Sequence, residues 1–290
     1  MTDCELVPYA YCAGADLSHM NLSGMDLTGI DLRGANLQNT NFDYATLDGA
    51  DLRSIVAMNA TFIHTGMNDT YLKNAEFNKY SSECGGYCGE ANLTNAHFRY
   101  TDLTDAYLRY VDLTDTDLAY ADLTNANLAH ADLTNADLLY ADLTNADLNN
   151  ADLTNAYLYG ADLTNAYLRY VNFTNAYLSN ADLTDTDLRF ANFTDADLRY
   201  ANFTDAYLGD VDLTNAYLYS ADLTDADLAH AYLTDADLSY ADLTNAYLYS
   251  ADLTNADFSF ATVTNAVFTS TTWFNTIWTD GVAYNTNQAD

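Results

Sequence analysis

The chain has 290 residues, 42 of them acidic and only 9 basic, for a formal net charge of −33. That balance excludes direct binding to nucleic acid or to an anionic membrane, whose phosphates would be repelled. The 49% hydrophobic content excludes disorder, and no apolar run approaches the ~20 residues of a membrane-spanning helix.

In chain order, residues 1–13 read as an N-terminal cap segment that holds Cys4 and Cys12. The start, Met1-Thr2-Asp3-Cys4-Glu5, lacks a basic stretch followed by an apolar one, so no secretory leader is visible. Residues 14–77 carry irregular five-residue repeats with apolar centres such as Leu17, Leu22, Phe42 and Phe77. Residues 78–90 (NKYSSECGGYCGE) carry no repeat. They read as an excursion loop with Cys84, Cys88 and a tight turn at Gly85-Gly86, after which the repeat resumes at Leu93 with its phase shifted by one. Residues 91–280 follow a stricter unit of ten, ADLTN-AxLxx, as in the stretch from Ala121 to His130. Near its end Phe268, Trp273 and Trp278 fall at central positions and are expected to cap the last coil. Residues 281–290 look like a polar, unpaired tail.

A period of five matches neither the 3.6 of a helix nor the 2 of a long strand. Ala and Leu stand two apart in each unit, so in extended backbone both point the same way. The Thr-Asn or Thr-Asp that follows has the chemistry of a turn. Each unit is thus a very short strand and a corner, and a self-similar chain of this kind stacks into a solenoid.

Tandem A(D/N)LXX resembles the repeat of the pentapeptide-repeat family, over about Gly14 to Asp280. The resemblance implies an all-β fold, a right-handed quadrilateral β-helix with four units per coil. The chain would be a single rod with one excursion loop, of roughly 12 to 13 coils and ~60 Å at ~4.8 Å per coil.

Function must then lie in what the sides display. Asp102, Asp122, Asp142, Asp162 and Asp182 should stand above one another, either as a cation-binding ladder or as turn caps facing solvent. The alternate sides are rich in tyrosine. Tyr100, Tyr120 and Tyr140 share one corner, Tyr157 and Tyr177 are neighbours, and Tyr107, Tyr167, Tyr207 and Tyr247 line the opposite side. Arg99, Arg109, Arg169 and Arg199 fall on these sides too, and exposed Tyr with Arg is the composition of a contact surface. Cys4, Cys12, Cys84 and Cys88 form two close pairs suited to local disulfides, with free thiols or zinc as the other readings.

No catalytic constellation or cofactor motif stands out, so the chain is expected not to be an enzyme and to bind no cofactor beyond loosely held cations. The expected function is structural. The chain would associate with itself, end to end or laterally through the Tyr/Arg sides, into a filament or layer. The alternative is an acidic DNA mimic that binds DNA gyrase or another topoisomerase, a basic protein partner, and protects it from inhibitors, as some members of the family do. Paired cysteines favour an extracellular or periplasmic setting, while the lack of a visible leader leaves the cytoplasm open.

Overall fold

In the computed structural model the described residues are 4–81, 86–88 and 90–287, with only the backbone of 79–81 and 86–88. The chain divides into two compact units, Met1–Ala151 and Asp152–Asp290. Both are built from the same five-residue element, and the reason lies in where its five N–H groups go.

The coil from Thr101 shows the pattern. The first N–H of a unit closes a turn onto the third carbonyl of the unit before, as Ala106 donates to Leu103 at 3.0 Å. The second donates to the first carbonyl of a neighbouring coil (Asp122 to Thr101, 2.9 Å), and the third to a second-position carbonyl of the coil on the other side (Leu103 to Asp122, 2.7 Å). The fifth also bonds across coils (Asp105 to Thr124, 3.0 Å). Only the fourth remains, and the unit's own aspartate takes it: Thr104 N–H donates to Asp102 Oδ1 at 3.0 Å. This is an Asx turn, and it completes the backbone account that a packed chain must close.

Parallel bridges link second-position residues twenty apart, as in Asp102↔Asp122↔Asp142, so four five-residue units make one coil. The strand component is shorter than the sequence suggests. It is a single bridged residue, because positions four and five already belong to the turn. The fifth residue is left-handed throughout, with φ of 58° at Asn125 and Asp105. Asn, Asp and Gly tolerate that conformation best.

The first and third side chains point inward and are buried, mainly Ala and Leu. Each buried Leu contributes about 1.5–3 kcal/mol. Where Phe takes the third position in successive coils the rings stack, as Phe42 on Phe62 at 5.0 Å and Phe173 on Phe193 at 4.8 Å. Where Thr replaces the first Ala, its buried hydroxyl donates to a turn carbonyl: Thr116 to Leu113 and Thr101 to Met67, each at 2.7 Å.

The unit Met1–Ala151 starts with a disulfide between Cys4 and Cys12. It is interrupted by an antiparallel hairpin, β1 (Lys79–Ser81) and β2 (Gly86–Cys88), with Tyr80 opposite Tyr87. The bridge spacing lengthens there from 20 (Val56↔Glu76) to 31 (Thr61↔Asn92), then returns to 20. The excursion therefore adds 31 − 20 = 11 residues without breaking the stack. Cys84 lies outside the described residues, and of Cys88 only the backbone is described.

The unit Asp152–Asp290 ends differently from expectation. The tail is not unpaired: β3 (Thr276–Ile277) pairs antiparallel with β4 (Ala283–Tyr284). The left-handed Gly281 (φ 78°) reverses the chain, and Trp278 N–H bonds Val282 at 2.9 Å. Phe268 and Trp273 are buried and Trp278 half-buried, with Trp278 5.0 Å from Trp273 and 5.1 Å from Phe268.

Phe193→Ala should remove a ring held between Phe173 and Phe203 and lower stability by about 3–5 kcal/mol. Urea unfolding followed by circular dichroism measures this, and a loss under ~1 kcal/mol would contradict close packing at that layer.

Candidate functional site

The aspartate columns serve the backbone first. Asp102, Asp122 and Asp142 bridge in the first unit, and Asp162 and Asp182 in the second. Each accepts the N–H of the Thr two residues on, at 2.9–3.0 Å. Stacked carboxylates ~4.8 Å apart repel by about 0.9 kcal/mol per pair in bulk water. Asparagines interrupt the columns and offset this. Asn172 donates to Asp152 at 3.1 Å, and Asn202 to Asp182 at 3.3 Å. Among the described residues no three His, Cys, Asp or Glu are grouped to hold a metal ion. The five aspartates have turn-capping geometry.

The tyrosines occupy two kinds of place. Tyr100, Tyr120 and Tyr140 are fifth residues stacked in a column, with ring centroids 5.0 and 5.6 Å apart. Tyr107 in the first unit, and Tyr157, Tyr167, Tyr177, Tyr207 and Tyr247 in the second, are second residues, where most units carry Asp. On one side of the second unit they alternate with aspartate, as Tyr167↔Asp187↔Tyr207↔Asp227↔Tyr247. All of these rings are exposed, from 39% at Tyr120 to 57% at Tyr100.

The arginines are engaged within the molecule. Arg199 grips Asp197 through Nε at 2.8 Å and a terminal nitrogen at 2.6 Å, and Arg189 holds Asp187 the same way. Arg99 reaches Asp117 at 3.1 Å and lies 5.9 Å from the Tyr120 ring. Arg109 lies over Tyr110 at 5.1 Å, and Arg169 over Tyr170 at 5.7 Å. Positive charge is thus largely spent locally, on aspartate or on aromatic faces. His130 stacks on Tyr110 at 4.7 Å, and burial, then the Arg109 charge, push its imidazole below the ordinary value. His230 meets Tyr249 edge-on in the other unit.

One feature escaped the sequence reading. Arg33, Arg53 and Lys73 line a shallow groove together with Gly34, Ser54 and Asn74. Arg33 pairs with Asp31 at 2.7 Å and Arg53 with Asp51 at 2.6 Å. Their spacing of twenty was the available signal, hidden by the looser repeats of that stretch.

These pairs set a pH dependence. Burial raises the Asp197 carboxyl, but the hydrogen bonds from Arg199 and Ser179 and the Arg199 charge outweigh it, leaving the pKa below the ordinary value. A depressed folded-state pKa gives stability that is present above the unfolded value and lost as pH falls through the folded one. The stability gap between wild type and Asp197→Asn should therefore be widest above about pH 4 and narrow below it. Chemical unfolding across that range measures the gap, and a gap that widened on acidification would contradict the assignment.

Among curated protein sequences there is no match. Solved structures similar to the chain include HetL, a pentapeptide repeat protein involved in heterocyst differentiation regulation from the cyanobacterium Nostoc sp. strain PCC 7120 (28% identity, 90% of this chain and 92% of that one, TM-score 0.22). They also include trypsin-treated QnrB1, a plasmid-mediated fluoroquinolone resistance protein (21%, 76% and 89%, TM-score 0.38), and Rfr23 from the cyanobacterium Cyanothece 51142 (23%, 47% and 85%, TM-score 0.29). The model of pentapeptide repeats matches in 8 copies over residues 10–43, 87–125, 112–150, 146–185, 156–195, 191–228 and 231–269. With that repeat along most of its length, the chain belongs to the pentapeptide-repeat family.

Proposed function

We propose that this is a non-catalytic structural protein whose tyrosine-bearing sides associate with further copies of the chain, laterally, into a filament or layer. Its coils take the right-handed, four-sided form that the family resemblance implies. The observation that carries this reading is the cost of the tyrosines. At the second position Tyr brings no carboxylate to the turn and forgoes a bond of about 0.5–1.5 kcal/mol. At the fifth it must adopt φ near 60°, which costs roughly 1–2 kcal/mol for a side chain other than Gly, Asn or Asp. Yet Tyr recurs at both, on alternate sides, with its ring half in water. Part of that cost returns through stacking; covering the rings would return more.

Lateral contact is better supported than end-to-end stacking. Ile277 bridges Asp257 on one side and Ala283 on the other, so the C-terminal hairpin occupies part of the last edge, the device by which proteins blunt open strands. The Cys4–Cys12 disulfide supports an extracellular or periplasmic setting. The open grooves exclude too little water to tune an acid or base, which supports a non-catalytic role.

The gyrase-binding alternative draws on charge density. Residues 101–120 carry five Asp and one Arg, net −4 in one coil of ~4.8 Å, against one charge per ~1.7 Å in duplex DNA.

Sedimentation and negative-stain microscopy over a concentration series should reveal assemblies that grow with concentration. Substituting Tyr100, Tyr120 and Tyr140 together by Ser should reduce them at least tenfold while leaving the circular dichroism unchanged. Monomers at every concentration, combined with protection of gyrase in a supercoiling assay, would replace this reading with the alternative.

A further inference from the structure

In the second unit the second-position column Tyr157↔Tyr177↔Asp197↔Tyr217 crosses four coils, ~14 Å from first to last at ~4.8 Å per step. Two open grooves, of about 440 and about 340 Å³, meet on this column and share Tyr177, Asp197 and Arg199. Tyr157 and Tyr200 flank the larger, and Tyr217, Asn175 and Asp195 the smaller. The exposed rings form the walls: Tyr177 at 51%, Tyr217 at 54% and Tyr200 at 55%.

The charge of Asp197, at the centre of this trough, is cancelled. Both oxygens of Asp197 are taken by Arg199, and Oδ1 also accepts Ser179 Oγ at 2.8 Å. Tyrosine at 157, 177 and 217 also removes the carboxylate that the repeat places elsewhere in such columns. The result is an aromatic, amide- and hydroxyl-lined strip that keeps one carboxylate besides the Arg199–Asp197 pair, Asp195 in the smaller groove, on a protein of net charge −33. A polyanion is repelled by the surrounding field, and a cation meets the Arg199 guanidinium at the centre of the strip. What fits is an uncharged molecule with apolar faces to lie on tyrosine rings and hydroxyl groups to exchange hydrogen bonds with Asn175, Asp195 and the phenols at the rim. That is the chemistry of a sugar chain. We infer that this trough is a binding site for a neutral oligosaccharide, laid across the coils from Tyr157 to Tyr217. The trough is long enough for several sugar units, and its volume lies within the range of small-molecule sites. Its openness leaves much of the ligand wet, so affinity is modest and built from stacking.

The inference does not rest on self-association, although a lateral contact over the same side would compete with the sugar. Isothermal titration of the full chain with neutral hexasaccharides (β-1,4-linked glucose, α-1,4-linked glucose and β-1,4-linked N-acetylglucosamine), beside polygalacturonate and polylysine, tests it. At least one neutral hexasaccharide should bind. Tyr177→Ala and Tyr217→Ala should each weaken that binding about five- to tenfold, with thermal unfolding unchanged, while Tyr247→Ala on the other variable side should leave it intact. Binding by none of the neutral sugars, binding of only the charged polymers, or wild-type affinity in the Tyr177→Ala/Tyr217→Ala double variant would overturn the inference. Sedimentation of the same samples separates the two readings, since a protein that binds sugar yet stays monomeric loses only the proposed assembly.

Discussion

The bond from the fourth-residue N–H to the second-residue carboxylate sets most of this molecule's properties. In an interior coil such as the one from Thr101, four of the five N–H groups of a unit are satisfied by carbonyls of the same coil or its neighbours. The remaining one turns outward at the corner, where no carbonyl reaches it. An Asp or Asn side chain two residues earlier is the shortest group that can fold back and accept it, as at Asp122, Asp142 and Asn192. The acidity that dominates the composition is therefore largely a requirement of the turn, with Asn the neutral way of meeting it. Net charge alone is correspondingly weak evidence of a partner. A carboxylate already holding a backbone N–H and a threonine hydroxyl, as Asp152 does, has limited capacity left for a ligand.

The same constraint gives the exceptions their meaning. Where the rule is kept, a residue carries little information beyond the fold. Where it is broken, the broken bond must be offset. Tyrosine at the second position and aromatic residues at the left-handed fifth position are such breaks, and they gather on alternate units. Some compensation is internal: Tyr170 stacks on Phe190 at 4.8 Å and Tyr240 on Phe260 at 5.0 Å. Arg169 caps the first of these pairs, 5.7 Å from Tyr170 and 5.9 Å from Phe190. The outer faces of the same columns remain in water.

Much of the architecture was legible in the chain because the repeat is both local and strict. Alternation of Ala and Leu gave the buried positions, Thr-Asn gave the corner, and tandem recurrence gave stacking at twenty residues. The coil stacked on the excursion was legible only as a phase shift of one, and the hairpin that absorbs the eleven extra residues has no alternating pattern to announce it. The C-terminal hairpin was missed for a related reason. Two residues of β4, Ala283–Tyr284, are too few to carry a period, and their pairing depends on the reversal at Gly281. The arginine pairs were missed because sequence places Arg199 beside Tyr200 but does not say that its guanidinium turns back to Asp197. That geometry changes the chemistry of the surface, since an arginine expected to reach a partner instead neutralises the aspartate beside it.

The division of labour between sides then follows from electrostatics. Two copies meeting through aspartate columns would bring like charges together, a cost that nine cations, most of them already paired, cannot cancel. Two copies meeting through tyrosine columns would cover rings that are apolar on their faces and polar only at the rim, with Arg–Asp pairs whose charge is balanced beforehand. In the proposed assembly the acidic sides would thereby restrict contact to the tyrosine sides by repulsion, and the tyrosine sides would supply the attraction. Specificity in such a surface comes as much from the contacts it forbids as from those it makes. A turn requirement met by a charged residue thus also limits which faces of the molecule can be covered.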